Sequence, residues 1–264
     1  EDYFLFSIPS VASYLFILPL LIVGYLLSQE KKIGLFFLVW VVAVLCVLSG
    51  RRSFLVATSL SVVAVMLLAL LFGKVTKSRM VVRFFVLIAP VIPLLLIGVA
   101  IGLVNVDLMS DGIKGVFDFK GDSSNIERRL QFYSILDSVS ESPFLGSGAG
   151  AVAGYVRNPY MPWAYELHYL SVLFHFGLVS LFLYALGCLA VLGGVVLYWR
   201  HASRMGNVRS AIASASLLAG VIGFLVGAGT NPYLAKFDYM WVIFLPFSIF
   251  SAYKADLGRK VGAR

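Results

Sequence analysis

Apolar runs of about 20 residues, divided by short clusters of charge, recur along this chain, and they limit its fold more than any other feature. A helix rises ~1.5 Å per residue, so such a run can cross the ~30 Å hydrocarbon core of a bilayer. Inside that core every backbone N–H and C=O needs a protein partner, which leaves helices and closed barrels as spanning structures. The runs lack the roughly ten-residue alternation of an outer-membrane barrel, so helices are expected. With 60% hydrophobic residues and a mean hydropathy of +0.94, the chain is too apolar for an ordinary soluble domain, whose apolar share is about half.

Seven spans are expected, at residues 8–27, 33–48, 54–72, 84–106, within 167–199, at 211–228 and at 239–253. Pro19 predicts a kink in the first, and Pro90 and Pro93 interrupt the fourth. The fifth run exceeds 30 residues, too long for one upright span; it begins at the interface or inside a cavity, or it is strongly tilted. Alternating the loops puts the basic sets at 30–32, 74–83, 200–209 and 254–264, with 13 Lys and Arg, on one side, which the positive-inside rule makes the cytoplasm. The expected fold is an all-α polytopic transmembrane bundle. Residues 1–106 hold four spans, 107–166 form one large periplasmic loop containing short helices, and 167–264 hold three spans. The net charge of +8 then reports topology and not a nucleic-acid partner, because no basic run with interleaved aromatics lies outside the membrane-flanking loops. Cys46 and Cys188 fall within apolar runs and read as buried small hydrophobes. The chain starts at Glu1 without a signal peptide, and an N-terminal portion is expected to precede it.

The large loop, with five basic and eight acidic residues, gathers the polar chemistry. Ile126, Leu130, Tyr133 and Leu136 recur at helical spacing, which predicts a short amphipathic helix carrying Arg128 and Arg129 and ending near Pro143. A glycine-rich turn follows at Gly146, Ser147, Gly148 and Gly150; it lacks the lysine and preceding strand of a P-loop and reads as a turn before a phosphate cradle. Tyr155, Tyr160, Trp163 and Tyr165 either stack on sugar rings or form an interfacial belt. His168 opens the next apolar run as either a catalytic base or a structural hydrogen-bonding residue. His175, seven residues on, lacks the HExxH spacing of a zinc site and reads as structural. No GxSxG elbow is present, which argues against a serine hydrolase. On the outer side, Arg51 and Arg52 either snorkel to lipid headgroups or hold forked donors toward a phosphate.

Three segments, taken in order, resemble the O-antigen ligase and Wzy-type polymerase superfamily of bacterial surface-polysaccharide assembly. SGRRSFLVATSL resembles the family's Gly-Ser-Arg-Gly-Ala start of a transmembrane helix, with Arg52 on the motif arginine. RRLQFYSILDSVSESPFLGSGAG resembles an arginine with an aromatic four residues on and a helix closing in Pro-x-x-Gly-x-Gly, matched by Arg129, Tyr133, Pro143, Gly146 and Gly148. LHYLSVLFHFGLVSLFLYAL resembles the His-Asn segment before a Gly-Leu span, with His168 and Gly177 in register. Tyr169 stands where asparagine is common and Tyr133 where tryptophan is common. The family usually has around a dozen spans, so these seven correspond to its C-terminal part.

The resemblance implies an inner-membrane glycosyltransferase with its active site facing the periplasm, working without metal or nucleotide cofactor and inverting the anomeric centre. Its donor would be an undecaprenyl-pyrophosphate-linked glycan and its acceptor a second repeat unit or a lipid A core sugar. Arg52 and Arg129 would stabilise the leaving pyrophosphate, with Arg51, Arg128, Arg157 and Tyr165 assisting in substrate binding and His168 acting as base. The rival reading is a glycolipid transporter or flippase that uses the same arginines to hold an anionic headgroup. Spans almost free of acidic residues, and the absence of an internal repeat, give it little support. A scaffold in an assembly complex is a third reading, under which Arg52 and His168 are dispensable.

Overall fold

The computed structural model describes residues 12–30, 32–49, 53–72, 77–90, 93 and 123–262. Among these the chain forms eight α-helices, two 3-10 turns and no strand. In order they are α1 (Tyr14–Leu27), α2 (Ile33–Leu48), α3 (Ser53–Phe72), α4 (Lys77–Ile88), α5 (Ser123–Val139), α6 (His168–Arg204), α7 (Val208–Ala228), the turns Tyr233–Ala235 and Phe237–Tyr239, and α8 (Trp241–Gly262). Three of them, Ser53–Leu71 within α3, α6 and α7, are long and apolar enough to cross a membrane, and α1, α2 and the apolar part of α8 are shorter apolar helices. The protein is a helical membrane protein.

Where an apolar run is bounded by charge, helix and run coincide: α2 occupies residues 33–48 as expected and α3 starts one residue early. The fourth run differs. Its helix begins at Lys77, inside the stretch expected to be a basic loop, because Lys77, Arg79 and Arg83 share a helix with Val81, Phe84, Phe85 and Ile88. The rest of that run beyond residue 90, Pro93 excepted, lies outside the described residues, as do 107–122 of the large loop.

The chain divides into two compact units, one of residues 1–77 with 182–264 and one of residues 78–181. In the first, α7 is the central element, packed against α1 and α3, while α1 also meets α2 and α3. Its face toward α1 carries Ser216, Gly220, Gly223 and Gly227. Lipid tails are as apolar as leucine, so helices associate in a bilayer by close van der Waals packing, and small residues permit that approach. A Cβ on Gly223 would stand 2.6 Å from the Leu15 carbonyl oxygen and 2.7 Å from Pro19 Cγ, and one on Gly220 would stand 2.8 Å from the Phe16 carbonyl oxygen. The hydroxyls of Ser214 and Ser216 donate to carbonyls one turn back, Ser210 at 2.7 Å and Ile212 at 2.8 Å, so neither is left unpaired in the packed interior. Phe16 adds an edge-on contact to Trp241 of α8, with ring centres 5.0 Å apart. The outward faces expose Phe37, Val47, Leu55, Leu71 and Phe182, the distribution of helices solvated by lipid.

The second unit has its own small core of Ile135, Ala153, Tyr165 and Phe174, with Val139, Ala151 and Leu170 against it. It corrects the expected orientation of α5. Of Ile126, Leu130, Tyr133 and Leu136, read as the apolar face, Ile126 is half-buried but the other three are exposed at 45%, 63% and 47%, whereas Gln131 and Ile135 are fully buried. The physical reason is that α5 packs against the polar segment that follows it, and that segment selects residues able to hydrogen-bond. Gln131 Oε1 accepts from the Glu166 N–H at 2.9 Å, and Ser134 Oγ accepts from the Tyr155 N–H at 2.7 Å. The long fifth run is also explained: α6 is interrupted at Gly177, with φ 76° and ψ −178°, so nine residues of helix precede the break and the longer apolar segment follows it.

Candidate active site

The break in α6 frees backbone groups that a continuous helix would pair internally. The turn after α5 supplies their partners. Ser147 N–H donates to the Phe174 carbonyl at 2.8 Å and Gly148 N–H to the His175 carbonyl at 3.0 Å. On the far side of the break, Leu178 N–H donates to the Pro143 carbonyl at 2.9 Å and Val179 N–H to that of Phe144 at 3.3 Å. The segment from Pro143 to Gly148 is therefore seated in the interruption, closing four hydrogen bonds across it. Two glycines make this possible. Gly146 has φ 75°, and a Cβ there would lie 2.5 Å from the His175 carbonyl carbon and the Phe176 nitrogen. A Cβ on Gly177 would overlap the Phe144 carbonyl. With the N–H groups of Gly146, Ser147 and Gly148 all donated to carbonyls, the turn does not present them to a phosphate.

His175 closes the same junction from inside. A carbonyl can only accept, so the 3.2 Å contact between Nε2 and the Ala151 oxygen puts a proton on Nε2, while Nδ1 is hydrogen-bonded with the Ser171 hydroxyl at 3.1 Å. Nε2 thereby ties the loop to α6 at Ala151, while Nδ1 is held by Ser171 one turn back on the same helix.

Glu166 gathers the charged groups. It accepts from Arg128 Nε at 3.0 Å and is ion-paired with Arg157, whose Nε also lies 2.8 Å from Glu127. Two guanidinium groups are thus balanced by two carboxylates. Arg129, one residue on and turned about 100° around the helix axis, is exposed and has no ion pair to another described residue. It shares its face with Tyr133, one turn further along.

The remaining candidates fall as follows. His168 is the first residue of α6 and is 5% exposed, its ring 5.4 Å from that of Tyr169. Tyr165, expected among the loop aromatics, is a core residue: its ring packs edge-on to Phe174 and its hydroxyl accepts from the Ala153 N–H at 2.5 Å. Tyr160 and Trp163 are the outward-facing aromatics of that loop. Arg51 and Arg52 lie outside the described residues. Sequence reasoning missed Glu166 and Gln131, the two groups that organise this unit. Gln131 was hidden because a polar residue in a helix reads as solvated, and its Nε2 has no acceptor among the described residues.

Removing Glu166 leaves two guanidinium groups without this partner, with side chains 30% and 39% exposed for Arg128 and Arg157. Glu166→Ala is expected to destabilise the segment from 150 to 165 by about 1–3 kcal/mol, the range for charge-assisted hydrogen bonds, with the more exposed Arg157 pair at the low end. Limited proteolysis should cut the variant faster within those residues, with Glu166→Gln intermediate; equal cutting rates would show that the network contributes nothing to the loop.

No curated protein matches the chain. Against models of protein families, residues 37–185 match the one described as O-antigen ligase. The match covers more than half of the 264 residues and takes in the Arg52 segment, the Arg129 helix with its glycine turn, and the stretch from His168 through the break at Gly177. The helix, the turn that fills the interruption and the helix it interrupts are the parts of one membrane protein whose sequence, over that length, belongs to the O-antigen ligase family.

Proposed function

We propose that this protein acts as a glycosyltransferase at the periplasmic face of the bacterial inner membrane, moving a glycan from an undecaprenyl-pyrophosphate carrier to a sugar hydroxyl. The family membership supports a reaction of the O-antigen ligase type, and the arrangement on α5 supports the donor chemistry. The observation that carries it is the division of labour among three arginines. Arg128 and Arg157 are engaged by carboxylates, whereas Arg129 stands on the exposed face with Tyr133.

Cleavage of a sugar–pyrophosphate bond places negative charge on the leaving group. A guanidinium is always ionised, and its fork of N–H groups matches two phosphate oxygens at once. In this reading Arg129 meets the pyrophosphate, Arg52 carries the role that its motif gives it in stabilising the leaving group, and Tyr160 and Trp163 offer ring faces to sugars. Arg51, Arg128 and Arg157 set the local field. His168 takes the proton from the attacking hydroxyl as the acceptor oxygen bonds to the anomeric carbon and the sugar–pyrophosphate bond breaks.

The test is a reconstituted assay of the full-length protein with a lipid-pyrophosphate-linked oligosaccharide, comparing wild type with Arg52→Ala and Arg129→Lys at equal folded yield. Arg129→Lys keeps the charge but replaces the fork by a point donor, and transfer is expected to fall by about 10- to 100-fold, the equivalent of losing one charge-assisted hydrogen bond. Near-normal transfer by that variant overturns pyrophosphate recognition by Arg129. Donor that binds but is never transferred, even by wild type, would favour the transporter reading.

A further inference from the structure

A cavity of about 390 Å³ opens in the first unit between α1, α2, α7 and α8. Its walls include Leu20 and Gly24 of α1, Leu35 of α2, Leu217 of α7, and Leu245 of α8. The volume falls in the range of sites that hold small ligands, roughly 300–1,000 Å³. Its chemistry is one-sided. Among the described residues the hydroxyls on its walls are those of Ser216 and Ser248, and both donate to carbonyls of their own helices, Ile212 at 2.8 Å and Leu245 at 2.6 Å. A guest inside it meets hydrocarbon.

The cavity lies toward one end of the bundle. Gly24 is one turn from the end of α1, Leu35 is in the first turn of α2, and Leu217 is in the third turn of α7. At this end the chain carries Lys32, three residues before Leu35, and Arg209, four residues before the cavity-lining Ala213. The spacing of four within α7 puts Arg209 on the cavity's side of that helix, one turn beyond the apolar walls, and Lys32 is the residue at which the chain enters α2. Arg209 is exposed and has no ion pair to another described residue, and Lys32 lies 4.0 Å from Glu30, with both side chains exposed. An apolar slot capped by cations at the membrane boundary complements a molecule with a hydrocarbon tail and an anionic head.

We propose that this cavity binds one acyl chain of an anionic phospholipid, with its headgroup phosphate on Arg209 and Lys32. The site depends only on the first unit being embedded in a bilayer, and it is separate from the glycosyl-transfer reading. Basic groups beside a membrane surface each strengthen association with an anionic lipid by about five-fold at low salt. The full chain, purified in detergent and equilibrated with equal phosphatidylglycerol and phosphatidylcholine, is therefore expected to retain the former about five- to twenty-five-fold over the latter by native mass spectrometry.

Two variants separate the parts of the proposal. Arg209→Ala removes the headgroup contact and should lower the preference about five-fold while the tail still binds. Ala213→Trp, at an exposed wall, fills the slot and should abolish retention of either lipid. Thermal melting of both variants within a few degrees of wild type, read alongside, certifies the fold. Equal retention of the two lipids by wild type, undiminished retention by Ala213→Trp, or complete displacement of phosphatidylglycerol by a polyprenyl phosphate would each overturn it.

Discussion

Gly177→Ala is expected to unfold the second unit. At φ 76° and ψ −178° the backbone lies in a region essentially restricted to glycine, which costs a side chain about 1–3 kcal/mol, and the added methyl must also displace the Phe144 carbonyl. Displacing it breaks the bond from Val179 and strains that from Leu178, so the combined loss exceeds about 4 kcal/mol, a size reserved for disrupted packing or networks. Thermal unfolding of the detergent-solubilised protein should shift down by at least about 8 °C, using the scale for domains of this size. Gly148→Ala is the matched control: it too has a positive φ, of 96°, but a Cβ there meets nothing within 4 Å, so only about 1–2 kcal/mol is expected. If the two variants melt together, the turn is not seated in the break as described.

His168→Ala should give the largest loss of activity. A positioned general base contributes about 10²- to 10⁴-fold, and transfer is expected to fall by that factor while donor binding holds. His175→Ala should do the reverse. It removes hydrogen bonds to Ser171 and Ala151 and lowers folded yield, whereas the folded fraction should keep its specific activity within a few-fold. Specific activity lost equally in both variants would remove the distinction between a base and a structural imidazole on this helix.

α2 and α3 were legible almost to the residue because an apolar run between charges has one solution in a bilayer, a helix that closes its own hydrogen bonds. The glycines at 146 and 177 were visible as a pattern, but not the fact that they meet, since backbone pairing across about 30 residues leaves no periodicity to read. The buried face of α5 was misread for a related reason. Periodicity finds a face that buries against apolar neighbours, while Gln131 and Ser134 bury against backbone N–H groups. Arg128, Arg129 and Arg157 looked equivalent until Glu127 and Glu166 separated them by pairing with two of the three.

The seating of the glycine turn in the broken helix also sets an order of events during synthesis. The last partner of the turn, Val179, is added 31 residues after Gly148, which at about 5–20 residues per second is a delay of roughly 2–6 s. Until Phe174 and His175 are added the turn has no acceptors for Ser147 and Gly148, and until Val179 is added the four bonds of the junction are incomplete and the loop stays open to proteases and chaperones. The arrival of α6 ends that interval, so the loop before it matures only after the helix that follows has emerged.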